Sequence, residues 1–234
     1  MFRAQIVDNI ISAEEIAAFK QFRNEHQSEA WIDGYVSDRP NEIIDHRILI
    51  KPEYEVHKII DRVTRQFLPN VRHIWANYQR QTNPHSLHVD DYCKDYAEFP
   101  TYTIIMALDD IPEHSAVLYQ EEARSCEHMH EMFMTWAMGG RDANPRKNTW
   151  SETEDIEHTM ETFTKTYFSD WLTPDAVFRY QAGRGIFFKA SQIHCSGNWK
   201  KYKKFNNKTS CKFTHTNPRK HNVSSRYTYK DQTI

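Results

Sequence analysis

Glycine and cysteine are scarce in this sequence, and long apolar runs are missing. Six Gly and four Cys occur among 234 residues. The cysteines show no CxxC spacing, which argues against a small disulfide-stapled fold and favours reduced thiols. No stretch approaches the roughly 20 apolar residues of a membrane span, and the first residues lack the apolar core of a signal peptide. We therefore expect a soluble, cytoplasmic protein with no membrane partner.

The net charge of -2 conceals an uneven distribution. From Trp199 to the end there are ten Lys or Arg and only one acidic residue, Asp231, which leaves that segment at +9 and the rest of the chain at -11. A basic end can meet nucleic acid, an acidic protein or an anionic small molecule, and a solvated tail is the equally simple alternative. A hydrophobic fraction of 39% over this length predicts one folded domain, residues 1–234.

Two helices and then a series of short strands are predicted along the chain. Ser12 and Glu15 form a capping-box pattern ahead of a helix over 13–26, and apolar residues at helical spacing predict a second helix over 54–67. From Val71 onward, short runs of β-branched and aromatic residues separated by turn-forming clusters predict an antiparallel sandwich or barrel. Residues 122–173, with a helix predicted over about 152–168, interrupt these strands as an insertion. The eight predicted strands are VRHIWANYQR, SLHVDDY, TYTIIMAL, SAVLYQ, AVFRYQ, RGIFFKA, KTSCKFTHT and RYTYK.

A candidate metal site begins at His88-Val-Asp90. In a strand, His88 and Asp90 point to one face while Val89 points to the other, so the pair can share one cation. A distant second histidine would complete a facial triad of two histidines and one carboxylate, which leaves adjacent positions open as iron-dependent oxygen chemistry requires. The composition yields roughly one HxD by chance, so this prediction depends on its context.

That context resembles the iron(II)- and 2-oxoglutarate-dependent dioxygenases, in their prolyl-4-hydroxylase-like branch, over roughly residues 71–216. The family has a tyrosine on the strand before its HxD, and Tyr78 stands ten residues ahead of His88. TIIMALDD matches a strand that ends in a Leu-Asn or Leu-Asp turn. AGRGIFFKASQIH matches a glycine turn, an aromatic strand and the second ligand, His194.

The resemblance implies a double-stranded β-helix, a jelly-roll or cupin-like core, formed by 71–121 and 174–230 and supported by the helices of 1–70. It implies Fe(II), 2-oxoglutarate and O2 as cofactor and co-substrates, with His88, Asp90 and His194 as metal ligands. The implied reaction hydroxylates a C–H bond of an amino acid, a peptide or protein side chain, or another small molecule, and releases succinate and CO2. Because Asp90 is present, hydroxylation is favoured over halogenation.

The residues that would bind 2-oxoglutarate depart from the family pattern. The family has Arg-x-Ser on the strand after the second histidine, and this chain has Lys208-Thr-Ser210, fourteen residues after His194. Lysine neutralises a carboxylate without the bidentate fork of arginine. The resemblance assigns the far carboxylate to Lys208, with Ser210 and Tyr78 assisting. Three other cations compete for the role of Lys208: Lys204, Lys212 and Arg226.

Several other interpretations of the same residues stay open. His194 and Tyr78 are each compatible with an ordinary core position in a strand. The chain is also compatible with a metal-binding cupin-like protein that is not an oxygenase, or with a nucleic-acid-binding module that uses the basic end, which is the less favoured partner. A second metal site at Cys126-x-His128-x-His130 lacks a convincing fourth ligand.

Overall fold

Strands dominate the structure. A computed structural model of the chain describes residues 3–32, 45–71, 73–81, 87–90, 101–139, 171–197 and 208–216. The predicted architecture, mainly β with flanking helices, is confirmed for these residues. The strands are β1 Gln5–Val7, β2 Trp31–Ile32, β3 Asp45–Leu49, β4 His73–Gln81, β5 Thr101–Ala107, β6 Ile111–Glu122, β7 Pro174–Tyr180, β8 Gly185–Lys189, β9 Gln192–Gly197 and β10 Lys208–Thr216.

Two helices precede the main strands, as the sequence predicts. Helix α1 spans Ala13–Glu25, and its capping box is formed: the Glu15 amide donates to Ser12 Oγ at 3.2 Å, and the Ser12 amide donates to a Glu15 carboxylate oxygen at 2.8 Å. Helix α2 spans Glu55–Phe67. No helix in the described part of the chain is long and apolar enough to cross a membrane.

The described strands form two antiparallel sheets. The larger has seven strands in the order β1-β8-β5-β10-β4-β3-β2, and the smaller has the order β7-β6-β9. The turn between β7 and β8 needs glycine, because Gly183 has φ +83° and an added Cβ would lie 3.1 Å from the Ile11 carbonyl oxygen. The Gly183 amide donates to the Ala107 carbonyl at 3.0 Å, which aligns β8 beside β5.

Each face of the larger sheet is covered by a different layer. Tyr78 and Met106 belong to a buried cluster with residues of α1 and α2 such as Phe19 and Ile60. On the other face, residues of β5 and β8 pack against residues of β6 and β7 in the smaller sheet. That cluster contains Ile105, Ala107, Ala116, Leu118, Ala176, Phe178, Tyr180, Ile186 and Phe188. The space between the sheets is therefore lined by alternate residues of each strand.

A third helix covers the outer face of the smaller sheet. Helix α3 spans Cys126–Met138, and its Met129 and Phe133 pack with Val117 of β6 and Ile193 of β9. Helix α3 lies within the predicted insertion, residues 122–173, where no helix was expected at this position. The helix predicted over about 152–168 and the strand RYTYK lie outside the described residues.

Candidate metal centre

The HxD segment lies beside β9 at the edge of the smaller sheet. The His88 amide donates to the His194 carbonyl at 2.9 Å, and the His194 amide donates to the His88 carbonyl at 3.0 Å. Val89 is fully buried in the cluster beneath α3, so it points away from the space between the sheets. Ile193 and Cys195 lie in that same cluster. Alternation therefore turns His88, Asp90 and His194 together toward the larger sheet.

The three side chains converge as ligands of one ion would. One ligand atom from each of them lies within 4.8 Å of the others. His88 Nε2 and His194 Nε2 lie 3.6 and 3.5 Å from Asp90 Oδ1, which is longer than a good hydrogen bond. Two atoms that each bind a metal at about 2.1 Å and at right angles are about 3 Å apart. The two observed distances, 3.6 and 3.5 Å, are about half an ångström longer than in that arrangement.

Hydrogen bonds fix which atoms face the centre. His194 Nδ1 lies 2.9 Å from the Gln192 carbonyl oxygen, and since a carbonyl only accepts, Nδ1 carries the proton. In the neutral ring, Nε2 is then left with its lone pair. It is buried and has no hydrogen-bond partner in the described structure. Thr103 Oγ1 donates to Asp90 Oδ2 at 2.9 Å, and the Asp90 amide donates to the Ala190 carbonyl at 2.8 Å.

The electrostatics of the centre suit a divalent cation. The Asp90 side chain is only 3% exposed, and buried charges in proteins are paired or coordinate metals. Burial, and then the negative charge of Asp90, raise the pKa of Tyr180. Tyr180 is therefore a neutral phenol at physiological pH. Two imidazoles and one carboxylate supply nitrogen and oxygen donors that fit iron(II).

The residues predicted to bind 2-oxoglutarate do not all reach this centre. Tyr78 is 2% exposed and packs on the helix-facing side of β4, and it lines a small pocket with Arg23 and Ile48 on that side. Thr103, which bonds to Asp90, lies on the opposite face of the larger sheet. The packing of Tyr78 thus supports the core-aromatic alternative, because strand alternation turns Tyr78 away from the space between the sheets.

The register of β10 gives positions for the two other predicted residues. Lys208 lies opposite Gln81 of β4, and Ser210 lies opposite Gln79 of β4 and Ala107 of β5. The rival Lys212 lies opposite Asn77 and Ile105. Lys204, Arg226 and most of the basic C-terminal segment lie outside the described residues. A nucleic-acid surface on that segment stays a prediction.

Three buried polar residues of the described strands were not predicted from the sequence. They are Thr103, which bonds to Asp90, Gln192, whose carbonyl orients His194, and the fully buried Asn77 on β4. A signal for Thr103 exists, since it stands two residues before a core isoleucine in TYTIIMAL and so shares its face. The chain offers no such local signal for Asn77.

The second metal site suggested by Cys126, His128 and His130 is not formed. The three residues begin α3, where positions two apart point about 200° apart, and no metal-ligand group other than the triad occurs in the described ranges. Cys126 Sγ instead contacts the Val89 carbonyl at 3.9 Å, and His128 Nδ1 accepts from the Arg124 amide at 3.2 Å.

Comparison with solved structures relates this fold to known proteins. No family model and no curated protein matches the chain. The non-heme alpha-ketoglutarate-dependent carbocyclase SnoK from nogalamycin biosynthesis matches with a TM-score of 0.56 and 13% identity, over 92% of this chain and 79% of its own. A prolyl-4-hydroxylase from Pseudomonas putida matches with 0.51 and 9%, over 92% and 93%.

A third similar structure is the epimerase SnoN in complex with Fe3+, alpha-ketoglutarate and nogalamycin RO. It matches with a TM-score of 0.52 and 13% identity, over 92% of this chain and 78% of its own. The predicted resemblance to iron- and 2-oxoglutarate-dependent enzymes is thereby confirmed at the level of the fold.

Proposed function

We propose that this protein is an iron(II)- and 2-oxoglutarate-dependent dioxygenase built on a double-stranded β-helix core, with His88, Asp90 and His194 as the iron ligands. The observation that carries the proposal is the orientation of His194. Its Nδ1 proton is committed to the Gln192 carbonyl, and its buried Nε2 faces Asp90 with a free lone pair. A ring held in this way is prepared to bind a metal.

Iron bound at this triad supplies the oxidative chemistry, in which O2 is consumed, 2-oxoglutarate is converted into succinate and CO2, and a C–H bond of the second substrate is hydroxylated. The chain's own residues orient the ligands and exclude water. Thr103 holds one oxygen of Asp90, so that the other faces the two histidines. The Phe188 ring packs edge-on against His194 with 4.9 Å between ring centroids, and the residues between the sheets around it are largely apolar.

The far carboxylate of 2-oxoglutarate is assigned to β10, where the family pattern supplies Lys208 and Ser210. The strand rise gives different distances for Lys208 and for Lys212, the rival that lies on the same strand. Thr214 lies opposite Thr103, so Lys208 is six residues, about 20 Å, along β10 from the level of the metal, while Lys212 is two residues, about 7 Å, from it. The shorter span favours Lys212 as the charged partner of a five-carbon co-substrate.

The second substrate is proposed to be a small molecule or a peptide. Proteins that share this fold include one named a hydroxylase, one named an epimerase and one named a carbocyclase. The fold alone therefore leaves the outcome of the reaction open. Hydroxylation is proposed because Asp90 keeps the complete triad of two histidines and a carboxylate.

Anaerobic spectroscopy tests the proposal. Adding Fe(II) and then 2-oxoglutarate to the purified protein should produce a weak visible charge-transfer band, and exposure to O2 should produce succinate. Both should be lost in His194→Ala and retained in His57→Ala, a matched substitution of a histidine on α2. Lys212→Ala should weaken 2-oxoglutarate binding more than Lys208→Ala. A protein that binds iron but gives neither band nor succinate is a metal-binding protein of another class, which contradicts the proposal.

A further inference from the structure

Asn77 is a buried polar residue whose side chain is unsatisfied. It is 0% exposed in the middle of β4, and neither Oδ1 nor Nδ2 has a hydrogen-bond partner in the part of the chain that the structure describes. Buried amides are nearly always hydrogen-bonded, so an exception requires an explanation, and a ligand is one of the few available.

The side chain of Asn77 points into the space between the sheets. Its neighbours Ala76 and Tyr78 both lie in the cluster beneath α1 and α2, so alternation turns Asn77 to the opposite face. Across β10, the same register row contains Ile105, which packs against the smaller sheet. Asn77 therefore shares a face with Thr103, the residue that bonds to Asp90.

The distance from Asn77 to the metal centre suits a small dicarboxylate. Asn77 and Thr103 are separated by two strand spacings and two residues, which places their backbones about 12 Å apart. The side chains of Asn77 and of Asp90 both extend into the intervening space. Lys212 lies opposite Asn77 on the strand between them.

We propose that Asn77 is a co-substrate-binding residue for the far carboxylate of 2-oxoglutarate, an assignment that rests on the proposed function. Nδ2 donates to one carboxylate oxygen, and the cationic residue Lys212 stands at the paired position on β10. The unsatisfied Nδ2 of Asn77 then has a partner. The amide also supplies a directional contact that a lysine, as a point charge, does not.

Ligand-dependent melting and direct titration test this assignment without turnover. The probes are 2-oxoglutarate and pyruvate, a keto acid without the far carboxylate, added to Ni(II)-loaded protein under anaerobic conditions. Asn77→Leu should raise the melting temperature of the ligand-free protein, since it removes two unsatisfied buried groups. It should also raise the Kd for 2-oxoglutarate by at least about ten-fold and leave the Kd for pyruvate within about two-fold.

A control and a second variant keep the outcome decisive. Thr64→Val replaces a buried polar group of α2, far from the centre, and should leave both Kd values unchanged. Asn77→Asp keeps the size of the side chain but places a negative charge against the carboxylate, so it should weaken 2-oxoglutarate more than Asn77→Leu does. If Asn77→Leu does not fold, Asn77→Asp tests the assignment by itself.

Two results would overturn the assignment. An unchanged Kd for 2-oxoglutarate in both variants means that Asn77 does not contact the co-substrate, and an equal loss for pyruvate means that it contacts the chelating end instead. In both cases the wild-type protein still binds 2-oxoglutarate, so the proposed function stands. If Ni(II)-loaded wild-type protein binds no 2-oxoglutarate, the proposed function itself fails, and the assignment fails with it.

Discussion

The hydrogen bond from Thr103 to Asp90 predicts a measurable loss of metal affinity. Thr103→Val replaces the hydroxyl by a methyl of similar shape at a position that is 0% exposed, so no large cavity is created. The variant removes the donor 2.9 Å from Asp90 Oδ2. The Asp90 carboxylate then loses this restraint on its orientation, and the binding of a metal must include the cost of restoring that orientation.

Two independent magnitudes converge on the size of this effect. Loss of a partner that orients a metal ligand typically costs 10–100-fold in affinity, or about 1.4–2.8 kcal/mol. A hydrogen bond to a charged group contributes about 1.5–3 kcal/mol. We therefore expect Thr103→Val to raise the Kd for Ni(II) by about 10–100-fold and to lower the stability of the metal-free protein by about 1–3 kcal/mol.

Calorimetric titration with Ni(II) and urea unfolding measure the two effects. Thr103→Ser keeps the hydroxyl and loses a methyl, so it should retain most of the metal affinity while losing some stability through packing. The comparison separates the hydrogen bond from the volume of the side chain. If Thr103→Val binds Ni(II) as tightly as the wild-type protein, Thr103 does not orient Asp90 and the reasoning is refuted.

Two further predictions concern tyrosines. Burial and the charge of Asp90 raise the pKa of Tyr180 in the folded protein, so the neutral phenol stabilises the folded state. This stabilisation is complete below the pKa of tyrosine in the unfolded chain, about 10, and is lost as the pH rises above it. Tyr180→Phe should reduce the fall in urea midpoint between pH 8 and pH 11; a variant whose midpoint falls as much as that of the wild-type protein would contradict this. Tyr78→Phe should leave 2-oxoglutarate affinity within about two-fold, whereas a loss of about ten-fold or more would return Tyr78 to the co-substrate site.

The shared orientation of His88 and Asp90 was predictable because its signal is local. In His88-Val-Asp90 the alternation of one strand decides which side chains share a face, and Val89 is indeed buried on the other side. The capping box at Ser12 and the apolar spacing of α2 are local in the same sense. Strand β9 was not predicted because only Ile193 and Cys195 of SQIHCSG are apolar, and two apolar positions alternating with polar ones are too short a pattern to mark a half-buried strand.

The residues proposed to bind the co-substrate are placed by long-range contacts, which a local sequence pattern does not contain. Alternation along β4 puts Asn77 and Tyr78 on opposite faces of the sheet. Which of these two faces is turned toward the metal centre depends on the side against which α1 and α2 pack. The pairing of β10 between β4 and β5 joins segments more than 100 residues apart, and that pairing sets the register row of Asn77. The family pattern locates its tyrosine by counting residues back from His88. A difference of one residue in that count moves the position to the opposite face of the strand, so the pattern does not distinguish Asn77 from Tyr78.

The mutual backbone bonds between His88 and His194 also constrain how the protein folds. They close a loop of more than 100 residues, and such non-local pairings form late because the chain entropy must be lost first. The transition state for folding should therefore lack a complete ligand set. A bound metal then stabilises the native state without stabilising that transition state, so it acts mainly by slowing unfolding. The metal-loaded protein should therefore resist proteolysis for longer than the metal-free protein. Its refolding rate should be unchanged.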